Sequence, residues 1–302
     1  MLKSKPEKSE HCREVEQYIQ DFRNLLSGQR VVALDTCVLA ELEEDIPPAW
    51  FKHFQAMRDD GVRFVIPDLC VGERLECFTK AKSAWFSEMK ERWKRMVSRL
   101  DSIIWQDLPC LPLRGDLFDI VGIGDDCVNG RRESPFTMCK AQELYEHFHG
   151  YENSQYNSHE YLIQFEEAID IVRNDWKDKV LRIRQAAHNI PKEQLLSFIL
   201  ATQDRTFSFP GGASEMVGLQ FRFLVERAYD LSYCNPDLGK RTKNDGLDFL
   251  MLYLTMVSIN VCSLDRFFHK AHELASAKSC CCHSPNTLFF DWQVDSLPVV
   301  EL

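Results

Sequence analysis

Five acidic residues stand at the edges of apolar runs: Asp35 in VVALDTCVL, Glu73 in IPDLCVGERL, Asp245 and Asp248 in NDGLDFLMLYL, and Asp265 in NVCSLDRFF. They come from distant parts of the chain. Asp245 and Asp248 are three apart, so they share a face of a helix that starts early enough to include both. Carboxylates brought together repel one another, and must be protonated or bound to a cation. Hard oxygen ligands favour Mg²⁺ or Mn²⁺. A divalent ion in such a site neutralises charge and activates water, a route to phosphodiester cleavage that needs no His or Lys base.

Each acid also has a plainer reading. Asp248 and Asp265 suit helix N-terminal caps, and Glu73 alone suits a solvated helix face. Their joint occurrence in one order of elements favours a site.

The elements that must position them alternate. VVALDTCVL (31–39) reads as a strand buried on both faces, and VRFVIP (62–67) as a second one. Residues 49–60 read as a helix ending near Gly61, and DLCVGERLECF as another. After a long break, GLDFLMLYLTMVS reads as a buried helix, NVCSLD as a strand, RFFHKAHELASAKS as a helix and LFFDWQV (288–294) as a last strand. This order predicts an α/β fold with a central parallel sheet flanked by helices. Functional groups then gather at the carboxyl ends of the strands.

Between the two α/β parts, AKSAWFSEMKERWKRMVSRLDSIIW, AQELYEHFHG, SHEYLIQFEEAIDIVRNDWKDKVLRIRQAAH and PKEQLLSFILATQ have helical periodicity. LPCLPLRGD and FPGGAS read as loops. The expected division is an N-terminal helix over 1–28 packed on the core, a core of 29–79 and 235–302, and a mostly helical insertion over 80–234.

The order and local wording resemble the PIN-domain nucleases. LDTCVL with Asp35 matches a strand ending in Asp, and IPDLCVGERL places Glu73 six after Pro67, as that family does. NDGLDFLMLYL offers Asp245 and Asp248 opening an apolar helix, and CSLDRFF supplies Ser263, Asp265 and Phe268. The similarity covers roughly residues 29–79 and 235–295. The resemblance implies a PIN-like fold and a metal-dependent phosphodiesterase acting most often on single-stranded RNA. Asp35, Glu73, Asp248 and Asp265 would be catalytic and bind Mg²⁺ or Mn²⁺, with Asp245 contributing directly or through water. Ser263 would orient Asp265 or a bound water. Two departures stand out. Cys37 occupies the place where the family usually has Asn, which puts a hydrogen-bonding support of Asp35 in question, and the insertion is far longer than in compact members. The family also implies control of such a ribonuclease by an inhibitory protein partner, as in toxin–antitoxin or defence systems.

Basic residues beside the acids are candidates for holding phosphates: Lys240, Arg241 and Lys243 before the third motif, and Arg266 after the fourth. With Ser263 they form the expected substrate-binding set. KERWKRMVSR (90–99) interleaves basic residues with Trp93, which could stack on a base, although a solvated amphipathic face accounts for it too. RNDWKDKVLRIR (173–184) reads in the same two ways.

Two other functions fit parts of the sequence. A non-catalytic PIN-like scaffold binding RNA or a protein suits the long insertion, but gives no reason to keep four repelling acids. A haloacid-dehalogenase-like phosphatase also begins with a strand ending in Asp, yet needs a second Asp where Cys37 stands.

The 302 residues are 45% hydrophobic with 20 Phe and 6 Trp, enough for a substantial core. A net charge of −10 disfavours diffuse nucleic-acid binding over the whole surface and leaves room for a local site. The N-terminal stretch lacks the apolar core of a secretory signal, and no run is long enough to span a bilayer, so a cytoplasmic protein without membrane contact is expected. The twelve scattered cysteines are then expected to be reduced. Cys280, Cys281, Cys282 and His283 lack the spacing of a zinc site.

Overall fold

The computed structural model describes residues 24, 26–79, 86–111, 138–150, 158–197, 222–230, 244–252, 254, 259–265 and 267–268. Four strands form one sheet: β1 (Arg30–Leu34), β2 (Val62–Pro67), β3 (Cys110–Leu111) and β4 (Ile259–Cys262). All pairings are parallel, in the order β3-β2-β1-β4. Among the described residues the helices are α1 (Thr36–Glu41), α2 (Phe51–Asp59), α3 (Asp68–Thr79), α4 (Phe86–Leu100), α5 (Met138–His149), α6 (Ser158–Ala186) and α7 (Asp245–Leu252), with further helical turns at 192–197 and 222–229. The α/β class expected from the alternation is what the chain adopts.

The strands are apolar because both their faces are covered. Val31, Val32, Ala33 and Leu34 of β1 are buried, as is all of β4. A sheet of this kind has no solvated face and so no polar alternation. Gly61, at φ +88°, makes the turn that returns the chain from α2 into β2, a conformation that suits glycine.

Two expectations need correction. The first strand does not run through VVALDTCVL. It ends at Leu34, and Asp35 caps α1 by accepting from the Thr36 amide, so Thr36 to Leu39 are helical. Asp35 satisfies an orphan donor of the new helix, and this local bond ends the strand. Secondly, LPCLPLRGD is not wholly a loop. Cys110–Leu111 pair with Ile66 and Pro67 as β3, so the stretch expected to be a mostly helical insertion also contributes a strand to the sheet.

The connectivity locates a crevice. From β1 the chain moves outward through β2 to β3, then returns to the other side of β1 to form β4. Strand order therefore reverses between β1 and β4, and ligand sites in open α/β sheets lie at such a switch point, beyond the carboxyl ends of the strands.

Helix α7 packs on α6, which also touches α3. Cys37, Cys70, Cys110 and Cys262 are free thiols. No helix among the described residues is long and apolar enough to cross a membrane. The helix expected before Asn24, the strand expected at 288–294, the expected helix beyond Phe268 and the Cys280–His283 run lie outside the described residues, as do FPGGAS and the part of PKEQLLSFILATQ beyond residue 197.

Candidate active site

The register of β1 against β4 pairs Leu34 with Cys262, and the ladder continues as the Asp35 amide donates to the Cys262 carbonyl over 3.0 Å. This places Ser263 beside Asp35. Its hydroxyl donates to Asp35 Oδ2 and accepts from the Asp265 amide at 3.0 Å. Ser263 is only 2% exposed. It therefore ties together Asp35 and the Asp265 it was expected to orient.

Asp35 is held by further donors. The Thr36 amide reaches Oδ1 at 2.6 Å and the Cys37 thiol reaches Oδ2 at 3.1 Å, while the Cys70 thiol lies 3.8 Å from Oδ1. Cys37 thus occupies the supporting place that its departure from the usual Asn had put in question, and its sulfur is itself fixed by the Leu264 amide at 3.1 Å. Thr36 also links two helices of the site: its hydroxyl donates to Glu73 Oε2 at 2.5 Å, so the start of α1 and the second turn of α3 are connected through one side chain.

Helix α7 brings the next pair. Asn244 caps it, its carbonyl accepting from the Leu247 and Asp248 amides, and Arg173 of α6 donates to Asn244 Oδ1 at 2.9 and 3.2 Å. The helix begins at Asp245, so Asp245 and Asp248 share a face. Its other faces are apolar and buried. Phe249 stacks on Trp176 of α6, with ring centroids 5.5 Å apart, and Gly246 lets the two helices approach. Burying Leu247, Phe249, Met251 and Leu252 contributes about 1.5–3 kcal/mol each. Two carboxylates near a surface repel by about 4 kcal/mol at 4 Å and less beyond. Apolar packing of this one helix therefore offsets part of the repulsion among its acids.

Asp265 is exposed, and its carboxylate caps the next turn by accepting from the Phe267 amide at 2.7 Å. The cap reading is thus true of Asp265, whereas Asp248 leaves that role to Asn244.

The electrostatics show these groups acting on one another. Burial pushes the Asp248 carboxyl well above its usual range, and the charges of Asp35, Asp265, Glu73 and Asp245 push it further. Asp35 is raised by burial, against the hydrogen bonds from Ser263, Cys37 and Thr36, with a further upward push from Asp265. Glu73 is raised to about 7, chiefly by burial. Asp245 is raised to about 6 by burial, although Arg227 opposes the shift. Acids from four separate parts of the chain therefore share one field at the switch point of the sheet. Among the described residues, no three or more His, Cys, Asp or Glu side chains are gathered as a ready-made cation cage. The donor set is nonetheless all hard oxygen, and burial is the first cause of the raised proton affinity of Asp35, Glu73, Asp245 and Asp248.

A cleft of about 650 Å³ opens on this edge, with Asp245, Asp248 and Asp265 in its lining. Arg227, Tyr229 and Lys192 face it from helical turns within 192–230. Arg227 Nε donates to Asp245 Oδ2 at 2.5 Å, and Lys192 pairs with Glu226 at 2.5 Å. Neither cation was singled out in the sequence, because each stands on an amphipathic helix with no motif around it. Lys240, Arg241, Lys243 and Arg266 lie outside the described residues.

Trp93 does not face a nucleic-acid groove. It is 2% exposed and packs against Phe148 with centroids 4.5 Å apart. The basic residues around it are tied to the acidic loop after α1. Arg92 pairs with Glu43 and Glu44, Arg95 pairs with Asp45, and Arg99 donates to the carbonyls of Leu42, Glu44 and Asp45. Trp176 is likewise buried, against Phe249.

Comparison with known proteins finds no match: no family model, no curated protein and no solved structure aligns with this chain.

Proposed function

We propose that the chain is a PIN-like, divalent-cation-dependent nuclease that hydrolyses phosphodiester bonds, single-stranded RNA first among them. The observation that carries the reading is the shared field at Asp248, where Asp35, Glu73, Asp245 and Asp265 all act on one carboxyl at the edge of a parallel sheet. Asp35, Glu73, Asp248 and Asp265 would hold Mg²⁺ or Mn²⁺, with Asp245 beside them. The ion would supply charge neutralisation at the phosphate and acidify the attacking water.

The chain's own groups have separate tasks. Ser263, Cys37 and the Thr36 amide fix the Asp35 carboxylate, and the Thr36 hydroxyl fixes Glu73 relative to it. Buried α7 holds Asp245 and Asp248 toward the cleft. At about 650 Å³ the cleft falls in the size range that takes one small ligand, which suits a nucleotide or two of a single strand rather than a duplex.

A non-catalytic scaffold has two observations on its side: Arg227 already neutralises Asp245, and among the described residues no ready-made cage is gathered. Incubation of labelled single-stranded RNA and DNA with Mn²⁺ separates the readings. A nuclease cleaves RNA in Mn²⁺, stops in EDTA and loses at least about a thousandfold in rate with Asp35→Asn or Asp265→Asn, a loss of several kcal/mol in transition-state stabilisation. Binding without cleavage supports the scaffold.

A further inference from the structure

The nuclease reading assigns the acids and leaves the basic residues of the cleft lining without a task. Arg227 is one of them. Its guanidinium forks onto Asp245, Nε to Oδ2 at 2.5 Å and Nη2 to Oδ1 at 3.4 Å, with Nη1 3.8 Å from Asp230 Oδ2. The side chain keeps 24% of its surface exposed, so it is reachable from the cleft.

We infer that Arg227 is a substrate-positioning residue that exchanges Asp245 for a phosphate oxygen of the bound strand. The inference rests on the nuclease reading of the same site and adds a specific contact to it. Three observations carry it. First, the acids of the lining repel a polyanion, so a strand entering the cleft needs a cation there, and among the described residues Arg227 and Lys192 are the two cationic residues lining it. Secondly, a planar guanidinium fork matches a phosphate as well as it matches a carboxylate. Thirdly, a divalent ion held by the carboxylates would relieve Asp245 of its need for Arg227, so the two anions could be traded without leaving either charge unpaired. Lys192 is less suited, being a point charge held by Glu226. Arg227 is also separate in sequence from the four acidic motifs, so the helical segment before residue 235 would contribute substrate recognition to a core that supplies the chemistry.

Fluorescence anisotropy with a labelled oligouridylate tests this in the presence of Mn²⁺, across a series of KCl concentrations. All proteins carry Asp35→Asn to keep the strand intact, and circular dichroism checks their folding. Adding Arg227→Gln is expected to weaken binding by about tenfold and to reduce the slope of log affinity against log salt by about 0.7, the value for one phosphate contact on a single strand. Arg227→Lys is expected to keep the slope while losing part of the affinity, which also serves if the Gln variant fails to fold. Adding Asp245→Asn to Arg227→Gln should restore neither. An unchanged slope in Arg227→Gln, or recovery on adding Asp245→Asn, makes Arg227 a counterion of Asp245 only and overturns the inference. Wild-type cleavage is measured in parallel. A cleaving wild type with an unchanged slope removes this inference alone, and a chain that neither binds nor cleaves removes the nuclease reading and the inference together. Binding without cleavage removes the nuclease and leaves Arg227 to be judged by its slope.

Discussion

The thiol of Cys37 donates to Asp35 Oδ2 across 3.1 Å, from two residues further along the same chain. The first turn of α1 aims both side chains at one point, and the Leu264 amide holds the sulfur there from β4's far end. The thiol is a weak donor, yet it supplies what an amide would otherwise supply. Burial and the adjacent Asp35 charge keep it protonated, so it remains a donor.

Replacing this support tests its part in the site. Cys37→Ser, which retains a donor, should leave Mn²⁺-dependent cleavage close to wild type. Cys37→Ala and Ser263→Ala should each lower metal affinity or rate by about 10–100-fold, the usual effect of removing a partner that orients a ligand. Rates measured over a Mn²⁺ titration decide it, and a Ser263→Ala enzyme with wild-type metal dependence would contradict this account of Asp35.

The raised acids make a prediction about pH. Glu73 takes a proton at about 7 in the fold and at 4.5 in the unfolded chain, so between those values the native state binds more protons. Its contribution to stability is therefore present at acid pH and is lost as pH rises through 4.5 to about 7. Removing the carboxylate reveals that component. In EDTA, the melting temperature of wild type minus that of Glu73→Gln should fall across this interval, leaving the variant the more stable at neutral pH. Saturating Mn²⁺ should reduce the fall, since the cation takes the proton's place, and at a hundred times its Kd it stabilises by about 2.7 kcal/mol. A difference that rises with pH in EDTA would contradict the buried placement of Glu73.

Gly246 offers a purely steric test. A methyl group there would lie 2.9 Å from Trp176 Cβ, an atom next to the α6 backbone that cannot swing aside. Alanine gains up to about 1 kcal/mol in helix propensity, against about 1–3 kcal/mol for overpacking. Gly246→Ala should lower stability in urea melts and, by displacing Asp245 and Asp248 on either side, lower activity as well. A stabilised variant would mean that α7 does not press on α6 as described.

Much of this arrangement was legible in the sequence. The runs RVVAL, VRFVIP and INVC are apolar because the sheet is covered on both faces, and their order with the helices announced the parallel topology. The acids stood out because each closes an apolar run. Less legible features depend on partners far along the chain. β3 is two residues long and exists through its pairing with Ile66 and Pro67, without any periodicity of its own. Trp93 in a basic stretch suggested base stacking, but an amphipathic helix also buries its aromatic face, and the arginines beside it answer to Glu43, Glu44 and Asp45 some fifty residues earlier. Arg227 gave no local signal, since its importance comes from its ion pair with Asp245 on another helix.

The central claim is that carboxylates from separate elements act as one cation site. Calorimetric titration of the metal-free protein with Mn²⁺ near neutral pH, repeated on Asp35→Asn and Asp248→Asn, measures it directly. The account predicts saturable binding to wild type, with proton release because raised acids must ionise, and at least about tenfold weaker binding in each variant. Absence of Mn²⁺ binding to wild type, or equal binding by all three proteins, would contradict it.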